Sequence, residues 1–349
     1  MSSRSSHSKE EITVDLSSQV PFYKQLMGSI QHLIEKGRYK DGDILPSMNG
    51  LSESLSVSKE TVKKAYAILR EKGVIESAQG KGFYVTENKG ALNVLMIFDK
   101  LSTYKLVLAR SFKENAGENI QTTIRIHDQD IDLFETLVHE NLDNFDYYLI
   151  TPHFPIDDDI QRRAITALGK IPNRKLVILD RKVESFPGNY GMVYQDYEQD
   201  VQRGLSQGRE LFEKYTTVNT ISTGGSLYGA FTEKGIERFC LEHGIDHRNY
   251  KTINPEKVLK GGVYIVLNSQ LDIELIEIIR IAKSKGLKIG DDIGIVSYNE
   301  SPINEIILDG LTVLSTDFQE MGALAAEMVK SGKLSKIWNK FDLIIRKTL

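Results

Sequence analysis

The chain has 349 residues, of which 40% are hydrophobic and 26% are charged, so it can form two domains and has the composition of a folded globular protein. Its only cysteine, Cys240, excludes an internal disulfide and favours a reducing compartment. The apolar runs are shorter than the ~18 residues that cross a membrane, and the start lacks the apolar core of a signal peptide. We therefore expect a cytoplasmic protein with no membrane partner.

Charge is distributed unevenly along the chain. The first 90 residues hold 13 lysines and arginines against 11 acidic residues, whereas the remainder holds 31 against 37. A basic segment ahead of an acidic one favours an anion-binding first domain. The Ser-rich segment 1–14 is predicted to be a disordered tail and residues 15–86 to be that first domain.

The first domain shows the apolar spacing of three helices. Apolar residues at positions 26, 30 and 34 lie four apart and predict the first helix. Pro46 and Ser47 begin a short second helix, and Ser58 can cap the third. The residues on one apolar face of the third helix are Val62, Ala65, Tyr66 and Leu69.

Two short β runs, 74–76 and 83–85, follow the third helix and predict a hairpin with a basic tip. Three helices and a hairpin are typical of a winged helix-turn-helix that binds nucleic acid. The third helix would be the recognition helix, since Lys59 and Lys63 lie one turn apart and the helix N-terminus attracts phosphate. The alternative is an ordinary helix with a solvated lysine face.

Five segments of this domain, 21–26, 42–47, 51–52, 57–62 and 80–85, resemble the DNA-binding domain of GntR-family bacterial transcription regulators. The resemblance implies a homodimer that reads a short palindrome in double-stranded operator DNA. Arginines of the family fall here on Asn49, Lys59 and Lys63, and lysine cannot make arginine's bidentate contact with guanine. Phosphate contact is therefore easier to predict than the base sequence. The expected DNA-binding residues are Ser47, Asn49, Ser58, Lys59, Thr61, Lys63, Gly80, Lys81 and Gly82.

The glycines of the hairpin tip would let the backbone approach the minor groove, although a tight turn alone would also explain them. A short linker is predicted at 87–91, before the pattern of the sequence changes.

Short apolar runs alternate with amphipathic helices over residues 92–349. Such runs are typical of strands buried on both faces of a parallel sheet, and they form two successive series. We predict an α/β fold with two doubly wound lobes. The predicted strands are 94–98, 122–126, 147–150, 176–179, 192–194, 218–222, 263–267 and 293–297. The predicted helices are 105–117, 131–141, 157–168, 198–214, 229–243 and 271–285.

Segments of this second domain resemble the sugar-sensing domain of LacI-family repressors, which is related to periplasmic sugar-binding proteins. They are residues 177–181, 193–196, 286–302, 311–313 and 343–348. Together with the first domain, the chain resembles the arabinose-repressor type. The resemblance implies that 92–349 dimerises and binds a small sugar, a pentose, hexose or deoxyhexose, between two lobes.

Sugar hydroxyls need paired acceptors and forked donors, and Asp180-Arg181 offers both at the carboxyl end of a strand, where such sheets bind ligands. A surface salt bridge is the alternative. Asp196 either holds a hydroxyl or caps the following helix. Where the family carries charged cleft residues, this chain has Thr232, with Lys234 nearby, and Asn268-Ser269. Further candidates follow other strands: Tyr104, Lys105, His153 and Asn299.

Signatures of enzymes are weak. Cys240 has no credible histidine partner, and Gly244 breaks the helix between His243 and His247, so we expect no metal site. The glycine-rich run 224–229 lacks the lysine of a phosphate loop. We therefore predict a sugar-responsive transcription regulator, a repressor of sugar-utilisation genes, with no cofactor and no catalytic residues. The alternative is a non-regulatory sugar-binding or sugar-modifying protein.

Overall fold

The computed structural model describes residues 12–78, 80, 82–86, 91–183, 186–222, 228–267 and 273–349. The chain forms two compact units, Met1–Leu92 and Asn93–Leu349. Most of the predicted linker, residues 87–90, lies outside the described residues.

The first unit contains three helices and a two-stranded antiparallel hairpin. They are α1 (Phe22–Glu35), α2 (Met48–Leu55), α3 (Lys59–Glu71), β1 (Ile75–Ala78) and β2 (Gly82–Val85). The predicted inner face of α3 is confirmed, because its four apolar residues are fully buried. The Tyr66 hydroxyl donates a hydrogen bond to the Pro46 carbonyl at 2.7 Å, which holds α3 against the start of α2.

The core of the first unit begins earlier than we predicted. Ile12 is 7% exposed and packs into the core, and the Thr13 amide donates to Ser29 Oγ at 3.0 Å. The predicted disordered tail, residues 1–14, therefore extends too far, because burial of the Ile12 side chain stabilises the end of this segment against α1.

The first lobe of the second unit is a sheet with the strand order β4-β3-β5-β6-β7-β13. Its strands are β3 (Leu92–Phe98), β4 (Ile120–Ile126), β5 (Tyr147–Ile150), β6 (Leu176–Arg181), β7 (Gly191–Gln195) and β13 (Lys336–Trp338). Its helices are α4 (Thr103–Ala116), α5 (Ile131–Asn141), α6 (Asp158–Leu168) and α11 (Phe318–Ser331). Gly322 allows α11 to pack closely on α4, because a Cβ there would lie 2.4 Å from the Leu108 carbonyl oxygen.

The second lobe repeats this strand order as β9-β8-β10-β11-β12-β14. Its strands are β8 (Thr217–Ile221), β9 (Asp246–Tyr250), β10 (Gly262–Val266), β11 (Gly294–Tyr298), β12 (Thr312–Thr316) and β14 (Phe341–Ile344). Its helices are α7 (Tyr197–Gln207), α8 (Arg209–Phe212), α9 (Gly229–His243) and α10 (Ile273–Ser284). The strand β14 is antiparallel to β12, and the other recorded pairs of this sheet are parallel.

The chain passes between the two lobes three times. It leaves the first lobe after β7, returns after β12 to form α11 and β13, and crosses again to form β14. The carboxyl ends of β3, β5, β6 and β7 therefore lie beside the first crossing. This edge of the sheet is where a doubly wound fold binds ligands.

Candidate DNA-binding surface and ligand cleft

The second and third helices of the first unit begin at serine caps. Ser47 Oγ accepts from the Gly50 amide at 3.1 Å, and Ser58 Oγ accepts from the Thr61 amide at 3.1 Å. The hydroxyls of Ser58 and Thr61 are also 2.8 Å apart. Both serines thus have a structural role at a helix N-terminus, where the helix dipole favours a phosphate group.

The outer face of α3 is exposed and basic. Lys59 and Lys63 are both exposed, as is Asn49 on α2. Lys63 Nζ lies 3.4 Å from Glu60 Oε1, but the two side chains are 63% and 82% exposed. Because such an exposed pair contributes little stability, Lys63 can exchange this partner for a phosphate at low cost.

The hairpin tip needs glycine for its backbone. Gly80 and Gly82 both have φ of +82°, in the left-handed region that side chains disfavour. Ala78 pairs with Gly82 across the two strands. The turn geometry alone therefore explains both glycines. Lys81, which we predicted to bind DNA, lies outside the described residues.

A buried ion cluster lies at the carboxyl ends of β3 and β6 in the second unit. Lys105 Nζ, from the first turn of α4, is 2.5 Å from Asp180 Oδ2 and 3.2 Å from Asp99 Oδ1. All three side chains are at most 1% exposed. A buried pair of this kind is stabilising only when its remaining polar atoms are also bonded.

Neighbouring strands supply those remaining bonds. Thr151 Oγ1, just after β5, donates to Asp99 Oδ1 at 2.9 Å, and Gln195 Nε2, at the end of β7, donates to Asp180 Oδ1. His153 lies between the carboxylates, with its Nε2 3.5 Å from Asp180 Oδ2 and its Nδ1 3.7 Å from Asp99 Oδ2.

The cluster keeps its members charged. Burial alone would lower the pKa of Lys105, but Asp180 and Asp99 raise it above its usual range. Burial alone would raise the pKa of both carboxyls, but Lys105 and His153 hold each below its usual range. Two carboxylates thus share one ammonium group and lie beside one imidazole.

Asp180 and Asn299, one in each lobe, have a left-handed backbone conformation at or just after a strand end. Asp180, in β6, has φ of +73°, and Asn299, just after β11, has φ of +67°. Non-glycine residues held in this region cost of order 1–3 kcal/mol and cluster at functional sites. Asn299 is 9% exposed.

Arg181 does not pair with Asp180, so the alternative of a salt bridge between these two neighbours is wrong. Its Nη1 donates to Gln161 Oε1 at 2.8 Å and to the Pro152 carbonyl at 3.2 Å. Successive side chains of a strand point to opposite faces, so the two neighbours reach different partners. The Arg181 guanidinium instead lies 5.1 Å from the centre of the Tyr228 ring.

Two tyrosines of the second lobe close over this edge of the first lobe. The rings of Tyr197 and Tyr228 stack with centroids 4.8 Å apart and an interplanar angle of 13°. The Tyr197 hydroxyl is 3.4 Å from His153 Nε2, and the Tyr228 hydroxyl donates to the Phe154 carbonyl at 3.4 Å. The two rings of the second lobe thus lie against the ion cluster of the first lobe, and we call the region where they meet the cleft.

The other predicted ligand residues have varied positions. Asp196 caps α7 by accepting from the Gln199 amide at 3.1 Å, so the helix-cap alternative is confirmed. Thr232 is buried on α9 and donates to the Tyr228 carbonyl at 3.3 Å. Lys234 is exposed, with its ammonium group 5.7 Å from the Phe231 ring.

Tyr104, at 6% exposure, packs on the Phe318 ring with centroids 4.6 Å apart. Asn268 and Ser269 lie outside the described residues. Sequence reasoning missed Asp99, although it directly follows an apolar run, as Asp180 does in its own strand.

Among the residues that the structure describes, three buried amide oxygens lack a hydrogen-bond partner: Gln195 Oε1, Asn299 Oδ1 and Asn339 Oδ1. An unpartnered buried polar atom is costly. A ligand hydroxyl could donate to Gln195 Oε1 or to Asn299 Oδ1, which follow the strand ends described above.

Two family models match the chain. The model of bacterial regulatory proteins of the gntR family matches residues 22–85, and that of the periplasmic binding protein-like domain matches residues 221–336. The chain therefore joins a gntR-type helix-turn-helix domain to a periplasmic-binding-protein-like domain. Its first unit is the GntR domain, and its second unit is the periplasmic-binding-protein-like domain.

Curated relatives match through the GntR domain. The transcriptional repressor YtrA of Bacillus subtilis is 39% identical over 77 residues, which cover 22% of this chain and 59% of YtrA. The mannosyl-D-glycerate transport/metabolism system repressor MngR of Escherichia coli is 39% identical over 69 residues, which cover 20% of this chain and 29% of MngR. The chain thus spans less than two thirds of the length of either relative.

Solved structures match the periplasmic-binding-protein-like domain. A dimeric Lac repressor with a C-terminal deletion superposes with a TM-score of 0.58 at 16% identity, covering 74% of this chain and 98% of that one. A LacI family regulator from Lactobacillus casei with bound sucrose superposes with a TM-score of 0.56 at 14% identity, and the match covers 74% of this chain and 99% of that one. At these identities the similarity establishes the fold. Over the described residues, every helix is too short or too polar to span a bilayer.

Proposed function

We propose that the chain is a DNA-binding transcription regulator, a repressor of sugar-utilisation genes that a small sugar releases from its operator. The observation that carries the proposal is the pairing of two sites in one chain. The GntR domain exposes lysines on α3, and the second unit holds a buried ion cluster beneath two stacked tyrosines. The first suits a phosphate backbone, and the second suits a polyol.

On the DNA side, we propose that Lys59 and Lys63 contact phosphates. Neutralised phosphates release counterions, which makes binding salt-dependent. Asn49 is the candidate for a base contact from α2. The other proposed contacts come from helix N-termini and the hairpin tip: Ser47, Ser58, Thr61, Gly80, Lys81 and Gly82. A homodimer formed through 92–349 would present two such domains to a short palindrome.

On the ligand side, we propose a neutral pentose, hexose or deoxyhexose. Asp180 and Gln195 offer acceptor oxygens, Arg181 offers forked donors, and the stacked pair of Tyr197 and Tyr228 offers aromatic surface for sugar C–H groups.

Two measurements on the purified full chain test the proposal. A thermal-shift screen over neutral pentoses, hexoses and deoxyhexoses should find a sugar that raises the melting temperature, since a ligand of the folded state stabilises it. Selection from a randomised duplex library should enrich a palindrome, and that sugar should weaken its binding.

The Lys59→Ala/Lys63→Ala double variant is the control for the selection, since it removes the two exposed ammonium groups of α3 that are proposed to contact phosphates. Failure to enrich any duplex would exclude the regulator. Conversion of the sugar into a product would favour the sugar-modifying alternative.

A further inference from the structure

Three connections join the two lobes, and their residues lie side by side. The first runs from Gln195 to Tyr197, the second from Thr316 to Phe318, and the third from Trp338 to Phe341. Any change in the angle between the lobes must alter the backbone here, because the connections are the only covalent links between the two sheets.

A buried carboxylate bonds two of these connections. Asp200, on α7 of the second lobe, is fully buried. Its Oδ2 accepts from the Asp196 amide of the first connection at 2.6 Å. Its Oδ1 accepts from Trp338 Nε1 at the start of the third connection, at 2.8 Å. Because Trp338 ends β13 of the first lobe, this last bond crosses from one lobe to the other.

An arginine completes the arrangement. Arg203, one turn along α7, places its Nη2 3.3 Å from Asp200 Oδ1 and its guanidinium 4.7 Å from the centre of the Trp338 ring. The Trp338 indole therefore makes two contacts with the second lobe: its Nε1 donates to Asp200, and its ring face is covered by the Arg203 guanidinium. Hydrogen bonds to a charged acceptor and cation–π contacts are among the stronger polar interactions.

A buried amide bonds the remaining connection. The Asn339 backbone amide donates to the Tyr194 carbonyl at 2.7 Å, next to the first connection. Its side-chain Nδ2 donates to Thr316 Oγ1 at 2.9 Å and to the Asp317 carbonyl at 2.8 Å, both in the second connection. Asp200 and Asn339 together thus tie all three connections to one another.

We propose that the Asp200–Trp338 hydrogen bond is a latch that holds the two lobes at the angle seen in this structure. Asn339 is itself part of the third connection, and its backbone and side-chain amides bond to residues in or next to the other two connections, so it ties the connections to one another. The latch differs because it joins a helix of one lobe to a strand of the other. A change in lobe angle moves these two elements apart and breaks the bond, leaving a buried carboxylate with fewer donors. Asp200 is in this sense a positioning residue for the cleft. The relevance of the latch to a sugar rests on the function proposed above, whereas the latch itself can be tested without ligand.

The test is the distance between spin labels on the two lobes of the full chain, measured by double electron–electron resonance. Glu114→Cys on α4 and Lys283→Cys on α10 place the labels at exposed positions of different lobes. The only native cysteine, Cys240, is buried, and burial raises the pKa of its thiol to about 12, so it does not compete for label.

Trp338→Phe removes the indole donor but keeps an aromatic ring under Arg203, and Asp200→Asn removes the charge of the acceptor. Both variants should broaden the distance distribution. The population of molecules with the native lobe angle, relative to the population with other angles, should fall by about tenfold or more. The matched control is Asp292→Asn, because the bonds of that carboxylate to the Lys288 amide and to Lys260 Nζ stay within the second lobe.

A wild-type distribution in both variants would overturn the proposal. Equal broadening in Asp292→Asn would also overturn it, since the effect would then be general destabilisation. Because no sugar or DNA is present, the result is independent of the proposed function. Circular dichroism verifies that each variant is folded. If Asp200→Asn does not fold, Trp338→Phe still decides the test, because the Trp338 side chain is 40% exposed and a substitution there is tolerated.

Discussion

Lys105 Nζ lies 2.5 Å from Asp180 Oδ2 in a place where neither side chain is more than 1% exposed. The two residues are 75 positions apart in the sequence, and the pair brings the start of α4 against the end of β6. The pair holds the carboxylate in one orientation at the floor of the cleft. Replacement of either partner therefore has consequences for both stability and binding.

Lys105→Met should destabilise the folded chain by about 3–5 kcal/mol, because it leaves Asp99 and Asp180 buried with no ammonium group between them. The measurement is the free energy of unfolding in urea. Arg110→Met is the control, since its pair with Glu114 is exposed on the same helix and should contribute about 0.5 kcal/mol or less. Equal effects of the two variants would contradict the stabilising role of the buried cluster.

Lys59→Ala and Lys63→Ala should each weaken DNA binding and reduce the slope of log K against log salt by about 0.9. The physical reason is the loss of one phosphate contact and its released counterions. Binding is titrated over a range of salt concentrations with the palindrome from the duplex selection. Lys36→Ala, an exposed lysine at the end of α1, should keep the wild-type slope. An unchanged slope in both α3 variants would show that neither lysine touches phosphate.

Arg181→Ala should abolish or strongly weaken the sugar response and leave operator binding intact in the absence of sugar. The variant removes the forked donor and its contact with Tyr228, while the GntR domain is unaltered. Isothermal titration with the sugar from the thermal-shift screen measures the affinity. Arg162→Ala, an exposed residue of α6, is the matched control. Native affinity in Arg181→Ala would show that the sugar binds elsewhere.

Acid should destabilise the chain through His127, which is fully buried and stacks on Phe154 with centroids 4.6 Å apart. Burial lowers the pKa of this imidazole to about 4, from an ordinary value of 6.5. As pH falls through this window, the unfolded chain takes up a proton that the folded chain refuses, so stability is present above the window and lost below it. The contribution of His127 to this loss between about pH 7 and about pH 5 should be about 2 kcal/mol.

The measurement is urea unfolding of wild type and His127→Phe at both pH values. The variant should lack this loss, whereas His139→Gln, at an exposed site on α5, should retain it. Asp200 acts in the opposite direction, because burial raises its pKa to about 6 and the folded state then binds the extra proton. Both chains share Asp200, so the difference between them isolates His127. A loss of equal size in His127→Phe would contradict the assignment.

The sequence predicted the fold where periodicity was strong. The helix over 131–141 and the strand over 147–150 have the predicted bounds, because each is a clear amphipathic or apolar run. The helix predicted over 198–214 is instead two helices that divide at Gly208. A Cβ at Gly208 would lie 2.4 Å from Leu343 Cδ2, so a glycine is needed at the division to pack against β14, a strand distant in the sequence.

Strand β9 was missed because Asp246–Tyr250 is polar, as suits a strand at the edge of its sheet.

The candidate site was predicted only in part, because its contacts join residues that are distant in the sequence. Asp180 could be found from its place at a strand end, but its partner Lys105 depends on the packing of α4. Asp99 and Gln195 also follow or end apolar runs, and nothing local distinguishes them from ordinary loop residues.

Trp338 is the only tryptophan of the chain. Its intrinsic fluorescence therefore reports on one position, the junction where β13 meets α7, without subtraction of other emitters. The bond to Asp200, the overlying Arg203 guanidinium and the 40% exposure of the ring all affect the emission wavelength and its quenching by iodide. The unlabelled protein thus carries an optical sensor at the connection between its lobes, and a spectrum recorded during a titration would follow the lobes directly.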